Sequence, residues 1–174
     1  MTFSGFWLRK LLGWFPAQRG RISVDKIAGH LARIVFSWST PANSDDFMRR
    51  FEIENEVNFR RVFDEEIFYL HLWTMDTCIQ LAFCKKRVLL DNLMNKFYGA
   101  IVNRQARIPD MSIASMFNNV KRWENRKEKY DEVFHEGNGT NVDKIPMWFF
   151  DYVLNEGLGG FRKNIVYQKT VRTS

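Results

Sequence analysis

Turn formers are scarce in this chain of 174 residues. It has ten glycines and four prolines, and not one of either stands between Ala42 and Tyr98. Folds built from short strands need turn residues about every ten positions, so the gap excludes such a string and favours long helices. Cysteine is as sparse, with Cys78 and Cys84 alone. On one helix the two would sit about 9 Å apart along the axis. A mutual disulfide needs Cα atoms within about 7 Å, so two reduced thiols in a reducing compartment are expected. Histidine occurs three times, at 30, 71 and 135. That is too few and too scattered for an evident acid–base arrangement. The chain also has no Gly-rich phosphate loop, no G-x-S-x-G and no Cys-x-x-Cys.

Acid is missing from both ends. Residues 1–24 carry Arg9, Lys10, Arg19 and Arg21 with no carboxylate, and residues 161–174 carry Arg162, Lys163, Lys169 and Arg172 with none. The net charge is +6, yet these ends hold eight cations, so the segment between them is slightly acidic. Cationic arms of this kind favour polyanions: nucleic acid, an anionic membrane surface or an acidic protein.

What the chain does have is apolar and aromatic mass. Hydrophobic residues make up 45%, with 16 Phe, 6 Trp and 5 Tyr, which argues against global disorder and for a ring-rich core or contact surface. The first segment, "MTFSGFWLRKLLGWFP", places Phe3, Trp7, Leu11 and Trp14 on one side of a helix with Arg9 nearly opposite. An aromatic face with basic neighbours suits an interfacial helix, although Gly5 and Gly13 weaken its helix propensity. The same rings could equally dock on the domain's own core, on a second subunit or in a partner's groove. Arg9 and Lys10 interrupt the apolar run that a cleavable leader would need, so the expected location is cytoplasmic, with a peripheral membrane position as the variant.

Helical periodicity organises the rest. Ser23 is a plausible N-cap for a helix carrying Val24, Ile27, Leu31, Ile34, Val35 and Trp38. Ser44 is expected to cap the next helix, with Asp45 and Asp46 at the positive end of its dipole. That helix runs through Phe47 and Phe51 and either breaks near 55–58 or continues. Further helices are expected over about 64–84, about 87–105 with Val88, Leu89, Leu93, Phe97 and Ile101 inward, and 112–135 with a charged face. A turn is expected at Cys84–Arg87. A last short helix over 147–157 is expected to stop at Gly157.

The stretch "EEIFYLHLWTMDTCIQLAF", residues 65–83, raises three readings. A membrane span needs about 20 largely apolar residues, and a central Asp such as Asp76 costs about 3 kcal/mol on insertion. The chain's mean hydropathy is also negative at −0.35. A span is therefore excluded. Helical projection puts Tyr69, Trp73, Asp76, Thr77 and Gln80 on one side. Ile67, Phe68, His71, Met75, Cys78, Ile79 and Ala82 fall on the other, which is expected to be the core face. Asp64, His71 and Cys78 share a direction, but seven residues of separation is about 10 Å of rise, so they cannot bind one metal ion from this helix. The pair Glu132 and His135 has the i, i+3 spacing of di-iron bundles, which need two such pairs. No metal or cofactor is expected.

These observations predict an all-α fold: a single-domain antiparallel helical bundle of about five to seven helices over 21–160. An aromatic/basic segment over 1–20 precedes it and a basic tail over 161–174 follows. The expected function is a non-catalytic binding or adaptor module. It would dock to a protein partner, to itself or to an anionic membrane surface through Phe6, Trp7, Arg9, Lys10 and Trp14. The first alternative is nucleic-acid binding through Arg19, Arg21, Arg162, Lys163, Lys169 and Arg172. The second is an enzyme or small-ligand bundle with a pocket at His71 and Cys78.

Overall fold

The structure, a computed structural model, describes residues 23–39, 42–50, 53, 57–107, 113–136 and 141–157. The fold is an all-α helical bundle. Among the described residues there are six helices and no strand, within the five to seven expected. In chain order these are α1 (Val24–Trp38), α2 (Ala42–Arg50), α3 (Val57–Phe83), α4 (Arg87–Gln105), α5 (Ile113–Phe134) and α6 (144–157).

Local chemistry sets most of the boundaries. Ser23 caps α1 as expected, its Oγ accepting from the Lys26 amide at 3.3 Å. The start of α2 is a correction: it begins at Ala42, so Ser44 lies inside the helix and is not its cap. Asp45 still falls in the first turn, where the helix dipole favours acid, so the earlier start keeps the same electrostatics. The chain is not helical at Ile53, whose amide donates to the Met48 carbonyl at 2.9 Å. Helix α3 then begins at Val57, earlier than the expected 64. It runs 27 residues, about 40 Å, because nothing in it breaks the pattern. The turn expected at Cys84–Arg87 is present, with the Lys86 amide on the Phe83 carbonyl at 2.8 Å. Pro146 sits in the first turn of α6, where its missing N–H is not needed.

Packing divides the chain into two compact units. The first holds α1 up to Phe36, the part of α3 from Leu72 onward, α4, and α5 up to Val120. Its buried side chains include Leu31, Ile34 and Val35 of α1, Met75 and Ile79 of α3, and Leu93, Phe97 and Ile101 of α4. Lys96 bridges to Asp25 at 3.0 Å, and the Arg104 guanidinium lies over the Phe36 ring at 5.2 Å. Val88 corrects the expected core pattern of α4. It stands at the first turn beside the α3–α4 turn and is 85% exposed.

The second unit holds α2, the part of α3 up to His71, the part of α5 from Lys121, and α6. Its core is Met48, Phe59, Phe63, Phe149, Val153 and Leu154. The rings interlock: Phe47 stacks on Phe59 at 5.8 Å, and Phe63 meets Phe149 edge-on at 5.7 Å. Asn58 Nδ2 donates to the carbonyls of Glu156 and Gly157 at 3.1 and 3.3 Å, which satisfies acceptors at the end of α6.

The expected faces of α3 are also corrected. Tyr69, Trp73 and Asp76, assigned to the solvent side, are buried, while Ala82, assigned to the core side, is exposed. Pairs at i, i+4 explain how the polar side goes inside. Gln80 Nε2 donates to both Asp76 oxygens at 3.1 and 3.2 Å, and Tyr69 Oη donates to Glu65 at 3.2 Å. Polar groups that find partners on their own helix can be buried without an unmet hydrogen bond.

Gly157 approaches Phe59 closely. A Cβ there would lie 2.8 Å from Phe59 Cδ2 and 3.1 Å from its Cα, and the second contact is backbone that cannot rotate away. Gly157→Ala should therefore destabilise the protein by about 1–3 kcal/mol despite alanine's better helix propensity. The shift in the midpoint of urea unfolding measures it.

Candidate functional site

The chemistry of the second unit concentrates where α3, α5 and α6 meet. Glu66 is 2% exposed and carries a carboxylate. Arg126 Nε donates to its Oε2 at 2.8 Å, and Tyr130 Oη donates to its Oε1 at 2.8 Å. The Arg126 guanidinium also lies over the Tyr152 ring at 3.9 Å and donates to the Tyr152 hydroxyl. Tyr130 is itself pinned by Trp148, edge-on at 4.9 Å. Just outside, Arg122 donates to Glu65 at 2.8 Å.

Burial raises the Glu66 carboxyl above its ordinary value of 4.5, and Arg126 and the Tyr130 hydroxyl offset only part of that. Burial and the Glu66 charge push the Tyr130 phenol well above its usual range, so it stays a donor.

A polar cleft of about 290 Å³ opens over this network. It is lined by Arg61, Arg122 and Arg126 and by Glu65, Glu66 and Glu156, with Asn125 and Tyr152 between them. Three guanidiniums face three carboxylates, so the cleft attracts neither an anion nor a cation strongly, and its geometry is that of a helix-linking ion-pair ladder. A second cleft, about 330 Å³, is apolar. Phe47, Phe63, Ile67, Leu70, Pro146, Phe149 and Phe150 line it, with Asp46 and Arg50 at its rim.

His71 lies in the second unit and lines neither cleft. Its Nδ1 is 2.9 Å from Ser39 Oγ, and its ring meets Trp38 edge-on at 5.7 Å. Burial lowers its pKa to about 4, so the ring is neutral near pH 7. Cys78 and Cys84 are both free thiols, the first half-buried with its pKa raised by burial, the second exposed. Among the described residues no group of three or more His, Cys, Asp or Glu could hold a metal ion, and no helix is long and apolar enough to cross a membrane. The docking residues Phe6, Trp7, Arg9, Lys10 and Trp14 lie outside the described residues. So do Arg19, Arg21, Arg162, Lys163, Lys169 and Arg172.

The turn from α3 to α4 is a surface of a different kind. Lys85, Lys86 and Arg87 are consecutive and exposed, with Leu81 and Val88 exposed on either side. Sequence reasoning located this turn but not its surface character. The signal was the cation run in "CKKRV", whose neighbours read as core until burial was known. Glu66 and Arg126 were likewise overlooked, since nothing in "DEEIF" or "WENRKE" marks one glutamate as inside or pairs it with an arginine 60 residues away.

No family model, curated protein or solved structure matches the chain.

Two outcomes test these assignments. Arg126→Ala leaves a buried carboxylate without its cation and should cost about 3–5 kcal/mol. Glu66→Gln keeps hydrogen-bonding capacity at the same volume and should cost less, about 1–2 kcal/mol. Urea titration of both variants compares them directly. His71, depressed in the folded state, contributes stability that is complete above its ordinary pKa of 6.5 and is lost as pH falls toward about 4. Glu66, raised in the folded state, acts in the opposite sense, its contribution present below 4.5 and lost as pH rises through its raised value. His71→Gln should therefore remove one component of acid destabilisation between pH 6.5 and 4. A pH series of unfolding midpoints for wild type and variant isolates it.

Proposed function

We propose that this protein is a non-catalytic helical module that docks to an anionic membrane surface. The observation that carries the reading is the segregation of charge: eight cations and no carboxylate in residues 1–24 and 161–174, flanking a slightly acidic body. The body's own carboxylates support it. Asp25, Asp45, Glu65, Glu66 and Asp131 are each engaged by a cation of the body. The aromatic residues Phe6, Trp7 and Trp14 beside Arg9 and Lys10 add the apolar half of an interfacial contact. Such a module acts from the cytoplasmic face as a peripheral protein, and each cation near an acidic leaflet contributes about 1 kcal/mol.

The cleft over Glu66 argues against a catalytic reading, because its ionic groups neutralise one another. His71, taken up by Ser39 and Trp38, supports a structural role for that ring.

Sedimentation with vesicles tests the proposal. The protein should pellet with phosphatidylcholine vesicles containing phosphatidylserine and not with phosphatidylcholine alone, and high salt should release it. Trp7→Ser with Trp14→Ser should weaken the binding about tenfold. Equal recovery in the supernatant with both vesicle types would refute the reading. Preferential retention on duplex DNA or RNA would transfer it to the nucleic-acid alternative.

A further inference from the structure

Several exposed cations of the body have an acidic neighbour. Arg49 is held by Asp46, Lys96 by Asp25, Arg122 by Glu65, Lys129 by Glu132 and Lys144 by Glu136. Lys85, Lys86 and Arg87 are set apart by being consecutive. All three are exposed, and among the described residues none of the three side chains makes an ion pair or side-chain hydrogen bond. The nearest exposed acid is Asp91, four residues after Arg87 on α4. No Asp or Glu occurs from Thr77 to Leu90, and the preceding acid, Asp76, is fully buried and bonded to Gln80.

Aliphatic surface brackets these cations. Leu81, on the last turn of α3, is 53% exposed, and Val88 stands on the first turn of α4. Solvent is a poor environment for both, and neither contributes to the core of the unit that carries them. Three free cations between two exposed aliphatics, all within eight residues of a tight helix–helix turn, form an amphipathic tip. The first turn of α4 contains no acid and Lys86 makes no side-chain cap, so the positive end of the helix dipole adds to the charge of the turn.

We propose that the α3–α4 turn is a membrane-contact tip, in which Lys85, Lys86 and Arg87 engage acidic phospholipid headgroups while Leu81 and Val88 enter the interfacial layer. The proposal rests on the docking reading and supplies it with a contact inside the folded body, separate from the chain's ends. Cations alone would serve a nucleic-acid backbone equally well. The aliphatic pair decides for lipid, because a phosphate backbone gives Leu81 and Val88 nothing to bury against, whereas a bilayer interface does. No aromatic ring stands exposed in the turn for base stacking, Phe83 being half-buried.

The test uses the whole chain and vesicles of phosphatidylcholine with or without phosphatidylserine. Each cation removed should weaken binding to the acidic vesicles about fivefold, so Lys85→Gln, Lys86→Gln and Arg87→Gln together should weaken it about a hundredfold. Leu81→Ser with Val88→Ser should weaken it several-fold at unchanged charge. Circular dichroism checks that both variants fold, as expected for exposed positions. Cys84, exposed within the turn, gives a direct readout. With Cys78→Ala to leave one thiol, an environment-sensitive dye on Cys84 should shift to the blue on acidic vesicles and be quenched by spin-labelled lipid.

If wild type binds acidic vesicles but the triple variant binds equally and the Cys84 dye stays in water, the tip is refuted and the docking reading survives through the ends. If wild type binds no vesicles, both fall. If the triple variant loses duplex DNA or RNA binding while wild type ignores vesicles, the turn is a nucleic-acid contact and the lipid assignment is wrong.

Discussion

A single buried carboxylate organises the second unit. Glu66 has almost no contact with water, so its charge must be met by protein groups or neutralised. Arg126 and Tyr130 meet it from α5, and Tyr152 of α6 covers the guanidinium from the other side. That arrangement ties together segments some 60 residues apart and sets where α5 and α6 lie on α3. The aromatic core of Phe59, Phe63 and Phe149 supplies apolar burial, which is non-directional. A directional ion pair with a hydroxyl donor has one good geometry, and it selects one packing among many similar ones.

The same logic separates the surfaces that are spent from those that are not. In the polar cleft every arginine faces a glutamate, and the ladder along α3 and α5 is electrically closed. His71 is neutral and engaged, so it brings no charge to a ligand. The α3–α4 turn is the opposite case, with cations that no described acid answers and aliphatic neighbours that no core absorbs. Its character matches that of the chain's ends, where acid is also missing. A slightly acidic body with a run of exposed cations at one turn is the physical basis of the docking proposal.

The helices were largely legible in the linear chain, for local reasons. The gap in glycine and proline between Ala42 and Tyr98 forced long helices, Ser23 announced a cap, and apolar spacing in 87–105 located α4 to the residue. The errors share a cause as well. Hydropathy places Asp76 and Tyr69 of α3 outward, while pairing within the helix, to Gln80 and Glu65, lets them go inside. Val88 fits the apolar repeat of α4 yet stands on its first turn, beside the α3–α4 turn, and is exposed. Glu66 and Arg126 were invisible because one glutamate looks like another until its surroundings are known.

Sequence alone determined the class of fold, the positions of most helix ends and the uneven distribution of charge, since each depends on neighbours a few residues away or on composition. Tertiary structure decided which side of α3 is buried, which carboxylate is sealed with its arginine, and which cations of the body remain unanswered. Those depend on groups brought together from distant parts of the chain, where the loss of water makes a charge expensive unless a specific partner is placed beside it.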